Sequence, residues 1–178
     1  MKEKTRKLTT VGMLCALAYA AAAVGRVPLV LFLKYDPKDV VLVITGFLFG
    51  PLSSFFAAGA VSLLEMVTLS ETGVLGLLMN VVSSCSFACP AALIYQKRRG
   101  FLGAAAGLLC GWGCMVSAMM LWNCLIAPLY MGVSREEVIS LLLPVFLPFN
   151  LMKGGLNASI AALLYRPVMS VLGRTAQN

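Results

Sequence analysis

Histidine is absent from this 178-residue chain, and charged residues make up only 12% of it. A soluble domain of ordinary composition has about a quarter of its residues charged, because hydrated side chains must cover its core. This chain has too few polar residues to build such a surface. It also lacks a G-x-x-x-x-G-K-[ST] loop, which excludes a P-loop ATP engine. No histidine–carboxylate cluster and no nucleophile paired with a base is present, so hydrolysis has no candidate site. No internal repeat, linker or low-complexity segment interrupts the sequence, and residues 1–178 read as a single domain.

Apolar sequence is what the chain has instead. Hydrophobic residues are 60% of it, and its mean hydropathy is +0.92, so lipid must be its solvent. The net charge of +7 falls in short clusters between apolar runs. A nucleic-acid face would gather it on one surface with interleaved aromatics, and nucleic acid is therefore excluded as a partner. Six cysteines, Cys15, Cys85, Cys89, Cys110, Cys114 and Cys124, all sit inside apolar runs. There they act as small hydrophobes. The i, i+4 pairs Cys85/Cys89 and Cys110/Cys114 would make a zinc site only by converging as thiolates in lipid.

The charged positions divide the chain into crossings. Lys2, Lys4, Arg6 and Lys7 precede a 17-residue uncharged run, Leu8 to Val24. Such a start resembles a signal peptide, but the run reaches membrane-span length and the crossing count requires it. Further spans are expected over 73–95, from Phe101 to about Leu125 before Pro128, and from about Val145 to Tyr165, with Thr72 opening the second of these four. The 40–64 stretch carries Gly50-Pro51 near its middle. Basic clusters at the N-terminus and at Lys97-Arg98-Arg99 should share the cytoplasmic side, which demands an even number of crossings between them. A hairpin turning at Gly50-Pro51 satisfies that count. Asp36-Pro37-Lys38-Asp39 offers an N-cap, a proline at the first helical position and an acid in the first turn. Ser134 and Glu137 form a capping box for a short segment that Pro144 and Pro148 interrupt.

The expectation is an all-α membrane protein of six transmembrane helices with both termini cytoplasmic. Lys34, Lys38, Arg26 and Arg135 then fall in outer segments, diluted by Asp36, Asp39, Glu136 and Glu137, while Arg166 and Arg174 lie inside. Helices of about 15 residues in the hairpin reach only about 22 Å, so thinning of the bilayer or burial by neighbours is implied.

An ionisable group within a membrane helix is costly and marks function by default. Lys153 is the clearest case, and Asn150, Lys153 and Asn157 share one helical face at i, i+3, i+7. The crossing scheme puts Asn80, Asn123 and Glu65 at the same outer level. Together these residues suggest a pocket open to the outside, with Trp122, Tyr130 and Phe149 available to stack on a planar ligand. The competing reading has Lys153 snorkelling to the interface and the asparagines tying helices together. In the first helix Gly12, Ala16 and Ala20 recur at i, i+4, i+8, a small-residue stripe suited to close helix approach, within the chain or to a partner.

Several segments carry a resemblance: Phe32 through Val40, Phe49-Gly50-Pro51, Ala92-Leu93-Ile94-Tyr95 before a basic loop, Asn123 with Pro128-Leu129-Tyr130, and Leu147-Pro148-Phe149-Asn150-Leu151-Met152-Lys153-Gly154. With these the chain resembles the S-components of energy-coupling factor (ECF) transporters, most of all the riboflavin-specific branch. The resemblance implies a vitamin-binding subunit, not an enzyme, that captures ligand from outside. It implies as partners a membrane T-component and two cytoplasmic ATPases, with Ala16 and Ala20 contacting the scaffold. It implies ligand contacts at Asn123, Asn150 and Lys153, to which the polar level adds Asn80, with the loop after helix one as a lid. No permanent cofactor is expected; a flavin would be cargo. An asparagine amide can answer the acceptor–donor–acceptor edge of an isoalloxazine. A neutral ligand does not demand Lys153, so flavin mononucleotide or another vitamin is the second candidate. An enzyme using Lys153 and Glu65 as an acid–base pair is the reading from another class. Val41, Ser62 and Glu65 depart from the branch's pattern.

Overall fold

The computed structural model describes residues 2–30, 33–69 and 73–171. Thr72, Phe32 and Arg174 lie outside the described residues, as do the side chains of Lys34 and Tyr130. Helix α1 runs Lys2–Gly25, followed by strands β1 (Val27–Val30) and β2 (Leu33–Tyr35). Then come α2 (Lys38–Phe49), α3 (Pro51–Thr68), α4 (Gly73–Lys97), α5 (Phe101–Met131), α6 (Arg135–Leu141), a π turn over Leu142–Phe146, and α7 (Leu147–Val171). Among the described residues, five helical stretches are long and apolar enough to cross a bilayer. The sixth expected crossing, α2, has only 12 residues, about 18 Å of helix against a hydrocarbon core of about 30 Å. Burial explains its short length. Nine of its residues, from Lys38 to Phe47, are buried, so other helices rather than lipid surround it.

The hairpin between α2 and α3 turns where the sequence places it. Gly50 adopts φ 92° and its N–H closes α2 on the Gly46 carbonyl, while Pro51 opens α3. A side chain at Gly50 would be strained in that left-handed conformation. Small residues then let helices approach. A Cβ on Gly107 or Gly111 would lie 2.6 Å and 2.2 Å from the carbonyl oxygens of Ala91 and Phe87, so α5 packs backbone against α4. Such contact suits lipid, where close packing replaces hydrophobic driving force.

Three expectations need correction. Helix α5 does not stop before Pro128 but continues to Met131 and ends on Gly132 in the left-handed region. Its N–H reaches the Pro128 carbonyl, so the proline sits in the last turn with its own carbonyl used. Pro144 and Pro148 do not break the chain before α7. The π turn widens the spiral there, its closing N–H from Leu147 reaching back to Leu142, and the helix runs on from Arg135. A wider turn accommodates residues whose ring or missing N–H disturbs the normal ladder. Finally, the segment after α1 is an antiparallel β-hairpin, pairing Val27 with Tyr35 and Val30 with Leu33 around an irregularity. The Ser134–Glu137 capping box forms as expected.

Candidate functional site

The polar residues converge at the end of the bundle formed by the α1 C-terminus, the β-hairpin and the start of α2. Asp36, Lys38 and Asp39 are buried there, whereas the sequence placed them in a solvated outer segment. Two features turn them inward. The Asp36 carboxylate accepts from the Lys38 backbone N–H at 3.1 Å, which fixes the entry to α2. Helix α2 is enclosed on nearly every side, so charges in its first turn have no route to water except past the hairpin. The N-cap position itself is Pro37, one residue later than expected.

Each buried cation meets a carboxylate. Lys38 is ion-paired to Glu65 at the end of α3 and lies 3.1 Å from Asp36. Arg26, at the end of α1, stands 3.7 Å from Asp36 and 3.6 Å from Glu65, and donates to the Leu69 carbonyl. Lys153 of α7 lies 3.5 Å from Asp39 and donates to Ser83 on α4. Asp39 also accepts from Ser84 at 2.5 Å and from Asn157 at 3.4 Å. Tyr35 donates to Asn157 at 2.8 Å, and Asn157 reaches the Asp36 carbonyl. Asn80 donates to Glu65 at 2.9 Å. The hairpin, its flanks and helices α2, α3, α4 and α7 are thereby tied into one network. Among the described residues, its three acids and three bases balance in formal charge.

Burial pushes the Asp36 carboxyl up, but Lys38, Lys153 and the Lys38 hydrogen bonds outweigh it and hold it below the usual range. Burial, then Asp39 and Asp36, raise the Tyr35 hydroxyl above its ordinary value, so it remains a proton donor to Asn157.

Of the residues singled out from sequence, Lys153, Asn80, Glu65 and Asn157 join this network. Asn150 is buried on the same α7 face but donates to the Phe146 carbonyl in its own helix. Asn123 is buried on α5. Phe149 is buried beside Asn150. Glu65 does not face Lys153 as an acid–base pair would; its cations are Lys38 and Arg26. Ala16 and Ala20 are elsewhere, exposed on the outer face of α1, while Ala18 and Ala22 face the bundle. Gly12 continues the exposed stripe with open space where a Cβ would stand.

Sequence reasoning missed Arg26, Lys38, Asp36 and Asp39 as site members, and Ser83, Ser84 and Tyr35 as their partners. The available signal was three charges in the four residues that open a helix apolar on every face. Some buried polar atoms keep spare capacity. Among the described residues, Glu65 Oε1, Ser62 Oγ and Trp122 Nε1 have no hydrogen-bond partner. Native interiors rarely leave such groups unanswered, and Ser62 and Glu65 lie i, i+3 on one face of α3.

Comparison with known proteins places this arrangement in a family. The ECF transporter substrate-specific component family matches residues 6–165. The chain is 28% identical over 173 residues to the riboflavin transporter FmnP of Bacillus subtilis, covering 91% of each chain. It is 26% identical to the riboflavin transporter RibU of Staphylococcus aureus, covering 97% of this chain and 95% of that one. A solved S component of a bacterial ECF transporter superposes with a TM-score of 0.79 at 25% identity, over 95% of this chain and 98% of the other. The chain belongs to the substrate-specific components of ECF transporters, multi-pass membrane proteins that bind a vitamin and work with an ECF module.

Proposed function

We propose that this substrate-specific component captures riboflavin, through Asn80, Asn123, Asn150 and Lys153, from the face that carries the buried polar network. The observation that carries the reading is charge balance: among the described residues, each cation at the site already has a carboxylate within 4.0 Å. Cations paired in this way offer hydrogen bonds rather than net attraction, which suits a neutral ligand rich in amide and hydroxyl groups. Flavin mononucleotide would bring a phosphate of nearly two negative charges into a site whose cations are committed. Asn80 and the unpartnered atoms of Glu65, Ser62 and Trp122 give a polyhydroxylated chain further partners. The names of the two curated relatives support the same ligand.

The basic clusters support a cytoplasmic position for both termini, with the network outside. The partners are a T-component and two ATPases, which supply the energy this chain has no motif to generate. The exposed Ala16–Ala20 stripe of α1 is the surface offered to the T-component, because small side chains permit close helix contact in lipid.

Titration of the purified protein tests the ligand. Riboflavin should turn the preparation yellow with quenched flavin fluorescence, and flavin mononucleotide should bind at least about 100-fold more weakly, about 2.7 kcal/mol. A colourless preparation without quenching defeats the flavin assignment. Equal affinity for the phosphorylated flavin defeats the charge argument. Ala16→Leu should leave binding intact and abolish uptake by the assembled transporter; normal uptake would remove the stripe from coupling.

A further inference from the structure

The opposite end of the bundle holds a polar cavity that the proposed vitamin capture does not use. It has a volume of about 240 Å³ and lies where the N-terminal part of α1, the α2–α3 turn and the end of α4 meet. Lys7, Phe49, Gly50, Tyr95, Gln96 and Arg99 line it. Lys7 sits 5.8 Å above the Phe49 ring, which keeps the ammonium at the cavity's rim. The Gln96 amide nitrogen packs closely over Gly50, where a Cβ would stand 2.5 Å from it.

The charge around this cavity is one-sided. Lys7, Arg99 and Gln96 present donors, and among the described residues no carboxylate lines it. Asp36, Asp39, Glu65, Glu136 and Glu137, the carboxylates whose side chains are described, all belong to the other end. The tyrosine hydroxyl at its edge is occupied with Tyr165. Donors arranged in this way suit an anion, and the volume exceeds several waters at about 30 Å³ each. Its flanks are apolar and open to lipid: Leu8, the residue after Lys7, is 75% exposed, and Leu52, just after the turn, is 67% exposed.

We propose that this cleft is a binding site for the phosphodiester headgroup of an anionic phospholipid such as phosphatidylglycerol. The phosphate lies between Lys7 and Arg99 with Gln96 donating to it, and the acyl chains run along the faces bearing Leu8 and Leu52. Basic pockets between helices at a membrane surface recognise headgroups in this way. A bound lipid would clamp α1 to the α2–α3 turn and α4.

The test uses the full chain in nanodiscs and in detergent. Native mass spectrometry should show phosphatidylglycerol retained in preference to phosphatidylcholine. Lys7→Gln with Arg99→Gln should weaken that retention about 25-fold, roughly fivefold per cation near an anionic surface. Arg98→Gln, which removes a neighbouring charge outside the cavity, should leave it within about twofold, because surface substitutions away from a site are close to neutral. Circular dichroism of each variant checks that the helices persist. If the double variant does not fold, Lys7→Arg with Arg99→Lys replaces it and should retain the lipid. Equal loss in Arg98→Gln would mean a diffuse surface attraction and overturn the site. Inorganic phosphate competing at millimolar concentration as well as the lipid does would overturn the lipid as its source. Indifference to phosphatidylglycerol overturns the proposal outright.

Discussion

The two ends of this bundle handle charge in opposite ways. At the hairpin end, Arg26, Lys38 and Lys153 are drawn in among Asp36, Asp39 and Glu65. At the other end, Lys4, Arg6, Lys97, Arg98 and Arg99 stand exposed. The first end uses charge as structure, since a buried ion is tolerable only when paired and hydrogen-bonded. The second uses it as address, since exposed basic clusters fix orientation and attract anionic surfaces. Deleting a charge therefore has a different meaning at each end.

Breaking a pair at the hairpin end should have the largest effect. Lys38→Met leaves Glu65 and Asp36 without their buried partner and should cost about 3–5 kcal/mol, read as a loss of thermal stability in detergent. Adding Glu65→Leu should recover much of that loss; no recovery would show that the pair is not the reason. Next comes the ligand face. Asn150→Ala should weaken riboflavin binding by about 10- to 100-fold, the worth of a buried hydrogen bond left unmade, while the melting temperature moves little.

A pH series sharpens the contrast more gently. Asp36 is held below the usual carboxylate range in the folded protein. Its stabilising contribution is thus complete above the ordinary value and is lost as pH falls through the lowered one. The melting temperature should decline on acidification, and Asp36→Asn should flatten that decline. The smallest effect belongs to the basic end: Arg98→Gln should change stability by no more than about 0.5 kcal/mol. A larger change there would erase the difference between the two ends.

Much of the fold was legible because lipid imposes simple rules. Apolar runs, Gly50-Pro51 and the Ser134–Glu137 box each announce themselves locally. The C-terminal end of α5 and the start of α7 were not legible, because Pro128 and the Pro144/Pro148 pair break helices in general. The last turn of α5 and a π turn accommodate them here. At the site, Lys153 and the asparagines stood out as misfits in apolar sequence. Asp36, Lys38 and Asp39 did not, since a charged stretch beside a hairpin reads as loop.

The sequence by itself determined that this chain lives in a membrane and turns sharply after α2, and it marked Asn80, Asn123, Asn150 and Lys153 as polar misfits within apolar runs. Those properties follow from composition and local spacing. Tertiary structure alone decided that Lys38 meets Glu65, 27 positions on, and that Asn157 meets Asp39, 118 positions back. The cost of a buried charge depends on what stands within a few ångströms of it, and only the folded chain sets that distance.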